Sequence, residues 1–160
     1  MDPERFPSAA AYLARLPEGL ASHPQCVVKA SVLRDVADAR PLGPDDLAAL
    51  PGPVAQLVRE PPPVSSWVPE VHALVAMIAI RDRHFAPGEI GLSAYEEWTY
   101  ERNKKLLARP LYRALFLLLS PERLLRNVGN RWAMFRRGSR LELVERSASS
   151  ATVRLSFPRT

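Results

Sequence analysis

The side chains that could do chemistry in this chain are few and scattered. His23 and Cys26 stand three apart around Pro24 and make the one near pair with metal-ligand spacing. No second pair follows to supply the three or four converging ligands that a zinc ion needs. His72 and His84 are twelve residues apart, and Glu70 lies about 200 degrees from His72 on a helix, so neither histidine extends the pair. Carboxylates adjoin at Asp45-Asp46 and Glu96-Glu97, where they read as helix starts, and Glu97 with Glu101 reads as a surface pair beside Lys104 and Lys105. Seven scattered glycines form no phosphate-cradling loop, and neither a G-x-S-x-G elbow nor a Cys-His-Asn arrangement is present. The expectation is a protein that is not an enzyme, with no catalytic residue, no metal site and no cofactor.

Two sets of residues could still bind something. Residues 1–100 sum to −5, residues 101–140 to +9 and the last twenty to +1. A segment at +9 can steer an anionic partner. On a helical wheel Arg123, Arg126, Asn130 and Arg137 gather on one side, with Arg131 and Arg136 flanking, opposite Leu124, Leu125, Val128, Trp132 and Phe135 within about 100 degrees. The arginine side is a candidate surface for a protein or other anionic partner, or a solvated helix face. Trp67, His72, Trp98 and Trp132 are the second set. They could line an apolar pocket for a small ligand, or simply pack in the core, with His72 bonded to a backbone carbonyl.

The elements that must position these groups follow from punctuation and period. Pro and Gly at Pro17-Glu18-Gly19, Pro41-Leu42-Gly43-Pro44, Pro51-Gly52-Pro53 and Pro61-Pro62-Pro63 cut the first half into short helices. These are predicted at Ala9 to Leu16, Val27 to Ala39, Pro44 to Leu50 and Val54 to Arg59. Ser66 to Phe85, apolar nearly all round from Trp67 to Ile80, is predicted as the central helix, capped by Ser65 or Ser66 with Pro69 in its first turn. Ser93-Ala94-Tyr95-Glu96 reads as a capping box for the next. Leu111 to Leu119 reads as a further apolar helix, and Ser120-Pro121-Glu122 as the start of the arginine-bearing one. After Gly138 the period falls to two: Leu141 and Leu143, then Ala151, Val153, Leu155 and Phe157 alternate with polar residues around a turn at Ser147 to Ser150, which predicts a β-hairpin.

The fold class expected is therefore α+β, mostly helical with six to seven short helices and a C-terminal antiparallel hairpin. It forms a single domain over 1–160, with 1–24 a loosely ordered lead-in, 25–138 the helical body and 139–158 the hairpin. At 160 residues the chain can bury roughly 70% of its unfolded surface without staples. Cys26 alone forms no internal disulfide, the N-terminus lacks a signal-peptide pattern, and no apolar run approaches the ~20 residues of a membrane span. The chain thus reads as cytoplasmic, and nineteen Arg against three Lys fits a GC-rich bacterial source.

Three strings carry a resemblance: Val28-Lys29-Ala30-Ser31, Trp67-Val68-Pro69, and Leu119-Ser120-Pro121-Glu122-Arg123-Leu124-Leu125 followed by Trp132 and a hairpin. In this order they look like an uncharacterised family of bacterial proteins known mainly from myxobacteria. That family in turn resembles a superfamily of heme-based nitric-oxide sensors, four-vinyl-reductase-type ligand-binding domains and Golgi tethering (TRAPP) subunits. The Tyr-x-Ser-x-Arg string that the heme sensors use is absent here. The resemblance implies a non-enzymatic sensor or adaptor domain that acts as a homodimer through protein–protein contact, with room for a small apolar ligand. The competing expectation is an accessory nucleic-acid binder using the arginine face, although no recognised nucleic-acid module is present.

Overall fold

The structure, a computed structural model, describes residues 1–108, 126–147 and 150–158. The expected helix at Leu111 to Leu119, the start at Ser120-Pro121-Glu122, and Arg123 lie outside the described residues. Seven helices are described. They are α1 (Pro7–Ala14), α2 (Ala30–Ala39), α3 (Pro44–Ala48), α4 (Gly52–Arg59), α5 (Glu70–His84), α6 (Gly88–Leu107) and α7 (Val128–Phe135). Five strands accompany them: β1 (Val27–Lys29), β2 (Trp67–Pro69), β3 (Arg136–Arg137), β4 (Arg140–Arg146) and β5 (Ala151–Ser156). The α+β class and the terminal hairpin are as expected.

A three-stranded sheet, absent from the sequence-based expectation, organises the body. Val27 and Trp67 do not open helices: β1 and β2 pair antiparallel with Val28 opposite Val68, and β3 joins the other side of β1 with Arg136 opposite Val28. β-Branched and aromatic residues favour this pleated pairing, and Pro69, which has no amide to donate, ends an edge strand. Both paired strands run directly into helices. The Ala30 amide donates to the Ser66 carbonyl (2.9 Å) and the Glu70 amide to the Cys26 carbonyl (3.0 Å), so equivalent bonds tie the starts of α2 and α5 to the opposite strand. Pro69, not Ser65 or Ser66, is thus the residue preceding α5.

The central helix itself is α5, with Val71, Ala73, Val75, Ala76, Ala79 and Ile80 buried and α1, α2 and α4 packed around it. Its small residues let those neighbours approach closely. Residues 1–24, expected to be loosely ordered, bring Phe6 and Ala9 into this core with no exposed surface. Asp82 near the end of α5 fixes α1 by accepting hydrogen bonds from the amides of Ser8 (2.8 Å) and Ala9 (3.0 Å), two donors that the helix start leaves unpaired. Asp46 makes a second tie, accepting from the Gly43 amide (3.1 Å) and pairing with Arg5 (2.8 Å) and Arg83 (3.2 Å). Burial pushes its carboxyl up, but the Gly43 bond and the two guanidinium groups outweigh that and hold it below the ordinary value. The helix α6 begins at Gly88, so Ser93 falls within it and the predicted capping box does not form.

The hairpin is joined to the body through β3 and a tight turn. Gly138 has φ +87°, and a Cβ there would sit 2.5 Å from the Gln25 carbonyl oxygen and 2.9 Å from Cys26 Sγ, so only glycine fits this crossing. From there β4 and β5 pair with Leu141 opposite Leu155 and Leu143 opposite Val153, with an irregularity between Leu143 and Glu145. The turn is closed by the Ser150 amide donating to Ser147 Oγ (3.0 Å).

Candidate functional site

The arginine face divides where the helix ends. Because α7 passes into β3 at Arg136, the side-chain period changes from 3.6 to 2 and neighbouring arginines turn to opposite sides. Arg136 shares the inner face of the sheet with Val28 and Val68, and its guanidinium pairs with Glu70 while lying 4.6 Å from the centre of the Trp132 ring. Arg137 lies on the outer face, 4.1 Å over Trp67, whose ring also carries Lys29 at 4.1 Å. Arg126, Asn130 and Arg131 are exposed. The wheel that grouped Arg137 with Arg126 and Asn130 therefore overran the helix.

The residue missed by sequence reasoning is Glu70. Its side chain is 2% exposed, one carboxylate oxygen meets Arg136 and the other is buried without a hydrogen-bond partner. Burial pushes the carboxyl up, and the charge and hydrogen bond of Arg136 oppose this without cancelling it. The same negative centre, after burial itself, raises the Tyr12 phenol and the Cys26 thiol. An upward shift favours the protonated thiol, the opposite of the lowered value that activates a cysteine. Among the described residues no group of three or more His, Cys, Asp and Glu side chains converges. The signal for Glu70 was its place beside His72 as a polar intruder in an apolar stretch.

The four residues considered as one pocket are dispersed. Trp67 is on the outer sheet face. His72 is half-buried, and its titration is lowered by burial against a hydrogen bond with the Leu20 backbone, as expected of a satisfied core histidine. Trp98 packs at tilted angles against Phe85 (5.8 Å) and Tyr95 (5.9 Å) beneath Arg102 (5.1 Å). Trp132 is half-buried and donates from Nε1 to Ser139 Oγ at 3.0 Å. Nor is α7 a core helix on its apolar side: none of its residues is buried, and Met134 and Phe135 are 65% and 48% exposed.

What the C-terminal unit does present is a continuous apolar row. Facing pairs in an antiparallel ladder point to the same side, so Leu141, Leu143, Val153 and Leu155 share one face of the hairpin, and Phe157 extends it. The helix α7 packs on β4, where Leu141 and Leu143 are half-buried, whereas Val153, Leu155 and Phe157 on the β5 side keep 44–46% of their surface exposed. Among the described residues β5 pairs with β4 alone, so its outer edge offers free amides and carbonyls.

No protein-family model, no curated protein and no solved structure matches the chain. Among the described residues no helix is long and apolar enough to cross a membrane.

Proposed function

We propose that the protein is a non-enzymatic sensor or adaptor module that acts through self-association and protein contact at its C-terminal hairpin. The observation that carries the proposal is the half-covered apolar row beside the unpaired edge of β5. A second copy is the occupant that this edge fits. Antiparallel pairing of β5 with its own copy about a two-fold axis at Leu155 sets Val153 against Phe157 and Arg154 against Ser156. Apolar residues then meet apolar residues, and no like charges stand directly opposite, the arrangement that stabilises paired strands. An exposed, apolar edge of this kind is otherwise an aggregation liability.

Leu155→Lys tests the reading, because the side chain is already half in solvent and its replacement leaves the body intact. Light scattering on the native chain should give a dimer that persists in high salt, and Leu155→Lys should give a monomer with unchanged far-ultraviolet circular dichroism. A native chain that stays monomeric at its highest soluble concentration overturns the proposal. Accessory nucleic-acid binding is the weaker reading. Arg136 is committed to Glu70, leaving Arg126, Arg131 and Asn130 as an exposed but ordinary cationic helix surface.

A further inference from the structure

A cleft of about 420 Å³ opens between α2 and α4, on the body of the molecule away from the hairpin row. Leu33 and Leu42 close its floor as buried residues, and Ala37, Leu57 and Val58 form its sides. Pro61 and Pro62 make the remaining wall. Proline fixes its own backbone angle and stiffens the residue before it. This connector is also anchored at both ends, by the Glu60 amide on the Gln56 carbonyl (2.8 Å) and the Ser31 amide on the Val64 carbonyl (3.3 Å). The proline wall of the cleft is thus fixed by its backbone.

Its polar groups are few and uneven. Arg34 and Arg59 stand on the lining with a single carboxylate, Asp38, which approaches Arg34 only to 4.0 Å and is itself 72% exposed. Among the described residues Arg59 pairs with no carboxylate. An apolar cavity of 300–1,000 Å³ with a small number of placed polar groups is the usual form of a small-molecule site. Guanidinium groups are suited to binding a planar carboxylate by paired hydrogen bonds.

We propose that this cleft binds a small apolar carboxylic acid of roughly a fused-ring size, with the hydrocarbon part on Leu33, Leu42 and Leu57 and the carboxylate on Arg59. The inference stands independently of self-association. Anilinonaphthalenesulfonate, an anion with an apolar aromatic body, serves as the fluorescent probe and naphthoate as its competitor. The probe should bind once per chain and be displaced by naphthoate, with neutral naphthalenemethanol at least about tenfold weaker, the value of one charge-assisted contact. Arg59→Glu, at an exposed position, should weaken naphthoate by about tenfold or more. Ala37→Trp or Val58→Trp should abolish binding by filling the cleft, with circular dichroism verifying the fold of each, while Leu155→Lys should leave it unchanged. Undiminished binding in both folded tryptophan variants, equal competition by naphthalenemethanol, loss in Leu155→Lys instead, or no saturable binding at all would overturn the proposal.

Discussion

Replacing Arg136 with methionine should destabilise the protein by about 3–5 kcal/mol at neutral pH, the range for removing one partner of a buried ion pair. The buried range applies because the side chains of Arg136 and Glu70 are 17% and 2% exposed, whereas a surface pair would be worth about 0–1 kcal/mol. Methionine keeps much of the volume, so the loss is of charge compensation at Glu70 and not of packing. The same substitution should change the pH dependence in a defined direction. The Glu70 carboxyl lies above its ordinary 4.5 in the folded protein, so the folded state holds its proton more tightly than the unfolded chain does. Its stabilising contribution is complete below about 4.5 and is lost as pH rises through the raised folded value. Removing Arg136 deletes the two largest influences that pull that value down and leaves the smaller one of His23, so the loss continues to higher pH and deepens. Asp46 acts in a separate window: held below 3.8, it contributes stability that is lost only as pH falls through its folded value. Urea denaturation of the native chain and of Arg136→Met at about pH 4.5 and 7.5 should therefore give a gap that widens with pH. Glu70→Gln combined with Arg136→Met should recover most of the neutral-pH loss. A single-variant cost below about 1 kcal/mol at both pH values would refute the assignment of Glu70 and Arg136 as a buried pair.

Two further substitutions probe the joints of the fold. Gly138→Ala should cost more than about 3 kcal/mol, measured by chemical denaturation, because the residue combines a left-handed backbone with a Cβ position 2.5 Å from the Gln25 carbonyl. Asp82→Ala should cost about 1–2 kcal/mol by uncapping α1 from a neighbouring helix, lowering the melting temperature by about 3–6 °C. Hydrogen exchange should then speed up first at the Ser8 and Ala9 amides, and unchanged exchange there would contradict the cross-helix cap.

The parts of this fold legible in the sequence are those whose signal is local and long. Fourteen nearly unbroken apolar positions from Trp67 to Ile80 announced the central helix, and the alternation at Leu141 to Leu143 and from Ala151 to Phe157 around Ser147 to Ser150 announced the hairpin. The three-stranded sheet was hidden because its strands are two or three residues each, too short for a period of two to show. Val27-Val28 and Trp67-Val68 merge into the apolar starts of the helices that follow them. The misreading of the arginine face has the same origin, since nothing local marks the change from helix to strand at Arg136. Glu70 could be noticed but not explained, because its partner Arg136 lies 66 residues away. Likewise Trp132 and Phe135 obey a core-facing helical spacing, yet the surface they would cover is left half open. That exposed remainder is the surface on which the proposed self-association rests.

Cysteine cross-linking tests the proposed association most directly, because Cys26 is buried and will not compete. With the two-fold axis at Leu155, paired strands bring the two copies of that residue to a Cα separation of about 4.5–5.5 Å, within the span of a disulfide. The two copies of Val153 would stand about 13 Å apart along the strands, beyond that span. Mild oxidation should therefore convert Leu155→Cys to a covalent dimer and leave Val153→Cys monomeric on a non-reducing gel. Equal linking of both variants, or of neither, would contradict pairing of the β5 edges about Leu155.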